Sequence, residues 1–347
     1  MTALAARPVH AIRAGRRSRA RRRRVALGVL AVLVAAVFVV SLTIGDTVYS
    51  PAEVLRVVLG QTVPGASFTV GELRLPRAVE GVLTGAAFGL GGVAFQTMLR
   101  NPLASPDVIG ISSGASAAAV VGIVVLGLGP AQTSALAVVA ALVVAAAILL
   151  LSSRGGVADT RLILVGIGVA AMLDSVVAWV LLRAANTDLQ TVTRWLSGSL
   201  NSASWEQLAP VLGALVVAAP VLASQSRGLG LLRLGDDGAA ALGVRVQRVR
   251  VLTVLAAVAL VAFATAAAGP IAFTAFLAGP IAARIMGPGS SLLLPSALTG
   301  SLLVLTADFA GEQLLGTRYS VGVVTGALGA PFLLWLLIRT NRKGAGL

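Results

Sequence analysis

Ten long apolar runs dominate the chain, near 25–44, 78–98, 107–128, 131–151, 162–182, 206–224, 251–268, 271–287, 291–311 and 321–338. Charges, glycines and prolines interrupt them at intervals close to the roughly 20 residues that a helix needs to cross a bilayer. The expected fold is therefore an all-α integral membrane protein with about ten transmembrane helices. Composition agrees: 57% of residues are hydrophobic and only 12% are charged, against about 25% charged in soluble domains. So little charge cannot cover a water-facing surface, which excludes a soluble globular enzyme and a disordered tail-type protein.

The missing residue types narrow the chemistry. Cysteine is absent and the sole histidine is His10, so disulfides, thiolate nucleophiles and Cys/His metal centres are not expected. The sole lysine, Lys343, is not part of a Gly-Lys-Ser/Thr phosphate loop, and Gly228-Leu-Gly230 lacks the rest of a dinucleotide fingerprint. Asp236 and Asp237 are sequence neighbours that project differently, which is poor geometry for shared acid–base work. No catalytic residue, cofactor or metal site is expected, and ATP hydrolysis must come from elsewhere.

The +14 net charge is unevenly placed. Nine arginines lie in the first 24 residues, directly before an apolar helix. That pattern reads as a cytoplasmic anchor under the positive-inside rule, not as a nucleic-acid arm. The run from Val25 to Gly45 is also longer than the core of a signal peptide. With the N-terminus inside, only Arg56, Arg74, Arg77, Arg183, Arg194 and Arg318 of the 27 basic residues fall outside. The expected organisation is a cytoplasmic tail (1–24), a single polytopic domain (25–340) with an inner loop at 225–250, and a second cytoplasmic tail (341–347).

Several local features can be read in advance. Ser50 followed by Pro51 predicts a short capped helix outside the first span. Trp195 and Trp205 in the polar stretch 186–205 suggest a headgroup-level segment. Gly81, Gly85 and Gly89, like Gly322 and Gly326, are four apart, a spacing that suits close helix approach, read as packing within the chain ahead of a dimer seam. At membrane depth the ionisable residues are read as Asp174, Asp308 and Arg284. Gly166, Ala170 and Asp174 share a helix face that either lines a pathway or packs on a neighbour. An ion-coupled secondary transporter using Asp174 is one reading of that strip.

Polar islands at the helix ends carry a more specific pattern. They are Arg74-Leu-Pro-Arg77, Arg100-Asn-Pro-Leu-Ala-Ser-Pro106, Gly235-Asp-Asp-Gly-Ala-Ala-Ala-Leu-Gly-Val244, Gly269-Pro-Ile-Ala-Phe273 and the Val321-Gly-Val-Val-Thr…Gly-Ala-Pro331 run. In this order and spacing they resemble FecCD-type permease subunits of ABC importers for iron–siderophore complexes, haem and cobalamin, over about residues 40–342. Two departures point away from haem and cobalamin members. Phe276-Leu-Ala-Gly-Pro-Ile-Ala-Ala-Arg284 lacks the histidine many relatives carry after its proline, and Thr317-Arg-Tyr-Ser320 replaces Glu-Leu-Pro. They look more like the branch handling catecholate or mixed siderophores.

The resemblance implies the type II importer permease architecture, in a cell membrane with both termini cytoplasmic. It implies a second permease subunit, identical or paralogous, two cytosolic ABC ATPase subunits, and an extracellular or periplasmic substrate-binding protein. Ferric siderophore would move inward by alternating access. By resemblance, Gly235, Asp236, Ala239, Leu242, Gly243 and Val244 couple to the ATPase. Asn101 and Leu103 match one cytosolic gate position. Asp159 and Thr160 match another, with an aspartate where serine or threonine is usual. Arg74, Arg77, Arg56 and Arg318 resemble basic knobs that dock the binding protein.

Overall fold

The computed structural model describes residues 3–106, 110–152, 159–287, 289 and 291–344, and among them the regular secondary structure is all helical, without a strand. The arginine-rich tail and the first span form one helix, α1 (Ala3–Thr43), consistent with the strong helix propensity of Arg and Ala. Outside it comes α2 (Pro51–Val58), whose capping box is complete. Ser50 Oγ accepts from the Glu53 N–H at 3.3 Å, and Glu53 Oε2 accepts from the Ser50 N–H at 2.8 Å, satisfying two otherwise orphaned donors.

A short α3 (Ala66–Phe68) and a π-helical turn, Thr69–Arg74, lead into α4 (Leu75–Met98). The order continues with α5 (Ile111–Val124), α6 (Pro130–Ser152), α7 (Asp159–Leu181), α8 (Asn186–Leu196) and α9 (Trp205–Leu232). After these come α10 (Asp236–Ala241), α11 (Val246–Ala268), α12 (Thr274–Met286), α13 (Leu293–Gln313) and α14 (Val321–Gly344). Among the described residues, seven helical stretches, Arg17–Thr43, Ala66–Met98, Pro130–Ser152, Arg161–Leu181, Trp205–Leu232, Val246–Ala268 and Leu293–Gln313, are long and apolar enough to cross a bilayer. Three shorter apolar helices, Ile111–Val124, Thr274–Met286 and Val321–Trp335, complete the bundle.

Helix ends depart from the apolar runs where backbone conformation intervenes. Gly110 (φ +84°) opens α5 late, with 107–109 outside the described residues. Gly269 (φ +72°) and Phe273 (φ +60°) shorten α12. The inner loop read as 225–250 is smaller, because α9 runs on to Leu232 and α11 begins at Val246. Gly228 does not break α9; it lets α9 approach α11, since a Cβ there would sit 2.8 Å from Val249 Cγ2.

The pillar of the bundle is α4, which packs against α13, α11, α12 and α9. Its glycine stripe makes this possible. A Cβ on Gly85 would lie 2.5 Å from the Gly300 carbonyl, and on Gly89 or Gly92 it would run into the backbones of Ser296 and Ala275. Without a hydrophobic force between helices in lipid, such close backbone approach is a main source of association. The stripe thus serves packing within the chain. In α14 Gly322 behaves this way, against the Ser197 carbonyl, and Gly329 meets the Phe273 side chain, whereas Gly326 has nothing nearer than Ala272 Cβ at 3.9 Å. At the other extreme, α7 leans mainly on α5 and α6, joins Val192 of α8 through Val180 at its outer end, and leaves Leu164, Ile167, Met172 and Trp179 exposed on its other face.

Candidate functional site

At the inner end, α10 carries the expected coupling residues. Gly235 (φ +94°) and Gly243 (φ +83°) bracket it, both in the left-handed region that favours glycine. Ala239 is fully buried and pins the middle of the element, while Leu242 is 60% exposed and Gly243 is exposed at the tip. Val244 closes the turn through its N–H to the Ala239 carbonyl at 3.0 Å. The result is a small apolar knob on a glycine-hinged helix, flanked by exposed Arg233, Arg245 and Arg248.

Asp236, half-buried at the start of α10, accepts from Arg250 Nη2 of α11 at 3.0–3.2 Å. Arg100 Nη2 approaches the same carboxylate at 4.0 Å. Arg100 ends α4 and directly precedes Asn101. There the Asn101 Oδ1 accepts from the Leu103 N–H at 2.9 Å, an Asx turn that sets the direction of Leu103. Leu103 packs with Phe273 and Phe276 and borders a cleft of about 640 Å³ that Ser112, Ser113, Ser116 and Leu333 also line. Hydroxyls on one helix and aromatic rings on another make this surface amphipathic.

Phe273 enters that cleft from a left-handed backbone, an outlier for a bulky residue. Its ring meets Phe276 edge-on, with centroids 6.2 Å apart. It also occupies the space a Cβ on Gly329 of α14 would need.

Gly166 and Ala170 close on Gly110, where a Cβ would meet the Gly166 carbonyl at 3.3 Å and Ala170 Cβ at 3.4 Å. The strip on α7 therefore divides: these two make a helix contact, and Asp174 stands exposed one turn further on. Asp159 and Thr160 open α7, but their side chains lie outside the described residues.

At the outer rim, two of the four arginines expected to project do not. Arg74 folds onto the end of α1, donating to the Leu42 carbonyl at 3.0 Å and the Thr47 carbonyl at 2.7 Å, with Tyr49 beneath its guanidinium. The π-helical turn just before α4 directs it there. Arg77 points into the bundle. Its Nε and Nη2 donate to both Asp308 oxygens at 2.8 and 2.7 Å, and Nη2 also reaches Glu312 at 2.9 Å. Arg56 and Arg318 do remain on the surface. Arg318 pairs with Asp46, and its hydrogen bond holds the Asp46 carboxyl below the ordinary carboxylate range.

Glu80 is a residue the sequence reading missed. It is fully buried one turn below Arg77, and neither of its carboxyl oxygens has a hydrogen-bond partner. The available signals were the Arg77–Glu80 spacing of three on one helix, and Asp308–Glu312 at spacing four on another. Arg100 and Arg250 were missed too, since neither stands out among the many arginines near the inner face.

Comparison with known proteins agrees with this architecture. The FecCD transport family pattern matches residues 33–339. The chain is 39% identical to the ferric enterobactin transport system permease protein FepG of Escherichia coli (strain K12), over 86% of this chain and 91% of that protein. It is 41% identical to the achromobactin transport system permease protein CbrC of Dickeya dadantii (strain 3937), over 91% of each. Among solved structures, one described as a metal-chelate type ABC transporter in an inward-facing conformation superposes with a TM-score of 0.81 at 26% identity, over 90% of this chain and 98% of that one. A match spanning nearly every helix, with relatives well above 30% identical, places this chain in the FecCD transport family.

Proposed function

We propose that the protein is the membrane-spanning subunit of an ABC importer that moves a ferric siderophore into the cytoplasm, paired with a second permease subunit and driven by two ATPase chains. The observation that carries this reading is the α10 knob: an exposed Leu242–Gly243 tip on a buried Ala239 anchor, in a chain with no phosphate loop of its own. Such a surface suits docking of a separate motor. The names of the relatives supply the cargo class. The arginine distribution supports cytoplasmic termini, and Arg56 and Arg318 are the charges left to orient a binding protein.

Asp174 supports the pairing. An exposed carboxylate on an otherwise apolar helix cannot stably face lipid tails, where it costs about 2.5–3.5 kcal/mol or more. A partner helix or a water-lined pathway must cover it. The test is reconstitution in liposomes with co-expressed ATPase chains and radiolabelled ferric enterobactin. Uptake should require ATP inside and should vanish when Leu242 and Gly243 are replaced by glutamates. Accumulation by the chain alone under a proton or sodium gradient would instead support ion coupling through Asp174.

A further inference from the structure

At the end of the bundle that carries α10, a groove opens between α9 and the start of α13. Both helices pack on α4 and only marginally on each other. Two cavities of about 380 and 410 Å³ lie there, and both are lined by Val93 and Thr97 of α4, Arg233 at the end of α9, and Leu292 just before α13. They are therefore two lobes of one groove. Its walls are mainly apolar, with Leu229 and Leu293 beside the shared valine and leucine.

Arginines from three separate elements edge this groove, and among the described residues no carboxylate lines either lobe. Arg233 lines both lobes and Arg100 one of them. Arg23 of α1 brings its Nη2 to 3.7 Å from where a Cβ on Gly289, in the second lobe, would be. Arg233 is exposed, and among the described residues it has neither an ion pair nor a side-chain hydrogen bond. The carbonyl end of α9 favours a cation at this point, but it leaves the five guanidinium donors unused.

One wall of the second lobe is bare without need. Gly230 stands inside α9, where glycine is a poor helix former, and a Cβ there would meet no atom within 4 Å. Gly228, two residues earlier, is the one that α11 requires. The bareness at Gly230 serves the space in the groove and not the packing of the chain.

An apolar groove edged by unneutralised arginines fits a molecule with an anionic head and hydrocarbon tails. We propose that the groove is a site for one anionic phospholipid. Its phosphate sits on Arg233, with Arg100 and Arg23 adding to the positive field, and its acyl chains run against Val93, Leu229, Leu292 and Leu293. Basic pockets between membrane helices take such headgroups. An acidic protein surface would use the arginines and leave the apolar walls idle.

The test counts retained lipid by native mass spectrometry on the full-length chain in detergent, given phosphatidylglycerol or phosphatidylcholine with identical acyl chains. One phosphatidylglycerol should be held in preference to phosphatidylcholine. Arg233→Ala should lower its retention about fivefold, the factor that goes with one basic residue at an anionic surface, and Arg233→Lys should keep most of it. Gly230→Phe should abolish retention by filling the lobe. Its melting temperature should equal or exceed that of the native chain, because a helix-interior glycine has been replaced, so misfolding cannot explain the loss. Arg227, also exposed on α9 but lining neither lobe, is the control for charge alone.

Equal retention of the two lipids overturns the proposal, as does phosphatidylglycerol retention that survives both Arg233→Ala and Gly230→Phe. A loss in Arg227→Ala as large as in Arg233→Ala overturns it by reducing the effect to a general field. Inorganic phosphate that raises the melting temperature where phosphatidylglycerol does not would make this a free-anion site. Displacement of the bound lipid when ATPase chains join the complex would assign the groove to a protein surface, and either result overturns the lipid site.

Discussion

The outer and inner ends of the bundle each gather arginines around carboxylates, and they put the same chemistry to opposite uses. Outside, Arg77 is clasped by Asp308 and Glu312 between α4 and α13, with side chains 22%, 11% and 14% exposed. These two helices are already fused by Gly85, Gly89 and Gly300. Inside, Asp236 is 41% exposed, sits on a six-residue helix between glycine hinges, and touches Arg100 only at the limit of pairing. Burial and a rigid frame turn one cluster into a lock. Exposure leaves the other the looser of the two, with Asp236 open to water on one side and Arg250 on the other.

That contrast can be broken in steps. The largest effect is expected from Asp308→Ala, which removes two acceptors from a buried guanidinium and leaves it Glu312 alone. Loss of one partner of a buried pair costs about 3–5 kcal/mol, read as a large fall in melting temperature in detergent. Next comes Glu80→Met, with the opposite sign. A buried carboxyl without a partner costs about 1–3 kcal/mol, and an apolar side chain of similar length should recover part of it, raising the melting temperature. No change, or a fall, would mean that Glu80 is held by something other than packing.

A smaller change is expected at the inner cluster. Asp236→Ala removes the half-exposed carboxylate to which the buried Arg250 donates; with Asp236 itself 41% exposed, the fall in melting temperature should be smaller than for Asp308→Ala, while ATP-driven uptake in liposomes is abolished. A stability loss matching that of Asp308→Ala would erase the distinction between the two clusters. The smallest effect is at Asp46. Its folded-state pKa is depressed by Arg318, so the contribution is present above the ordinary carboxylate range and fades as pH falls through the lowered value. Native and Arg318→Ala chains should accordingly melt slightly apart at neutral pH and converge in acid.

Much of this architecture is legible without coordinates, and the reason is local. Hydropathy over about 20 residues is a property of the segment itself, so the positions of the membrane helices follow from the runs. The capping box at Ser50–Glu53 is equally local. Glycine spacing gave the packing face of α4 but not its partners. Gly228 looked like loop punctuation until α11 was seen beside it. Arg74 and Arg77 looked outward because two arginines at a helix start usually face water; their acceptors, the Leu42 carbonyl and Asp308, are 32 and 231 residues away.

Sequence alone therefore determined that this is a helical membrane protein without a Gly-Lys-Ser/Thr phosphate loop, and which short segments bear its family's pattern. Each of these depends on neighbours in the chain or on residue types that are missing. Only the tertiary structure decided which charges are spent on holding helices together and which remain for partners, because an ion pair is a matter of distance in space. The left-handed Arg100 shows this most plainly. Its cost lies in its own backbone, at φ +51°, while Asp236, the carboxylate its guanidinium approaches at 4.0 Å, lies on a helix more than a hundred residues further on.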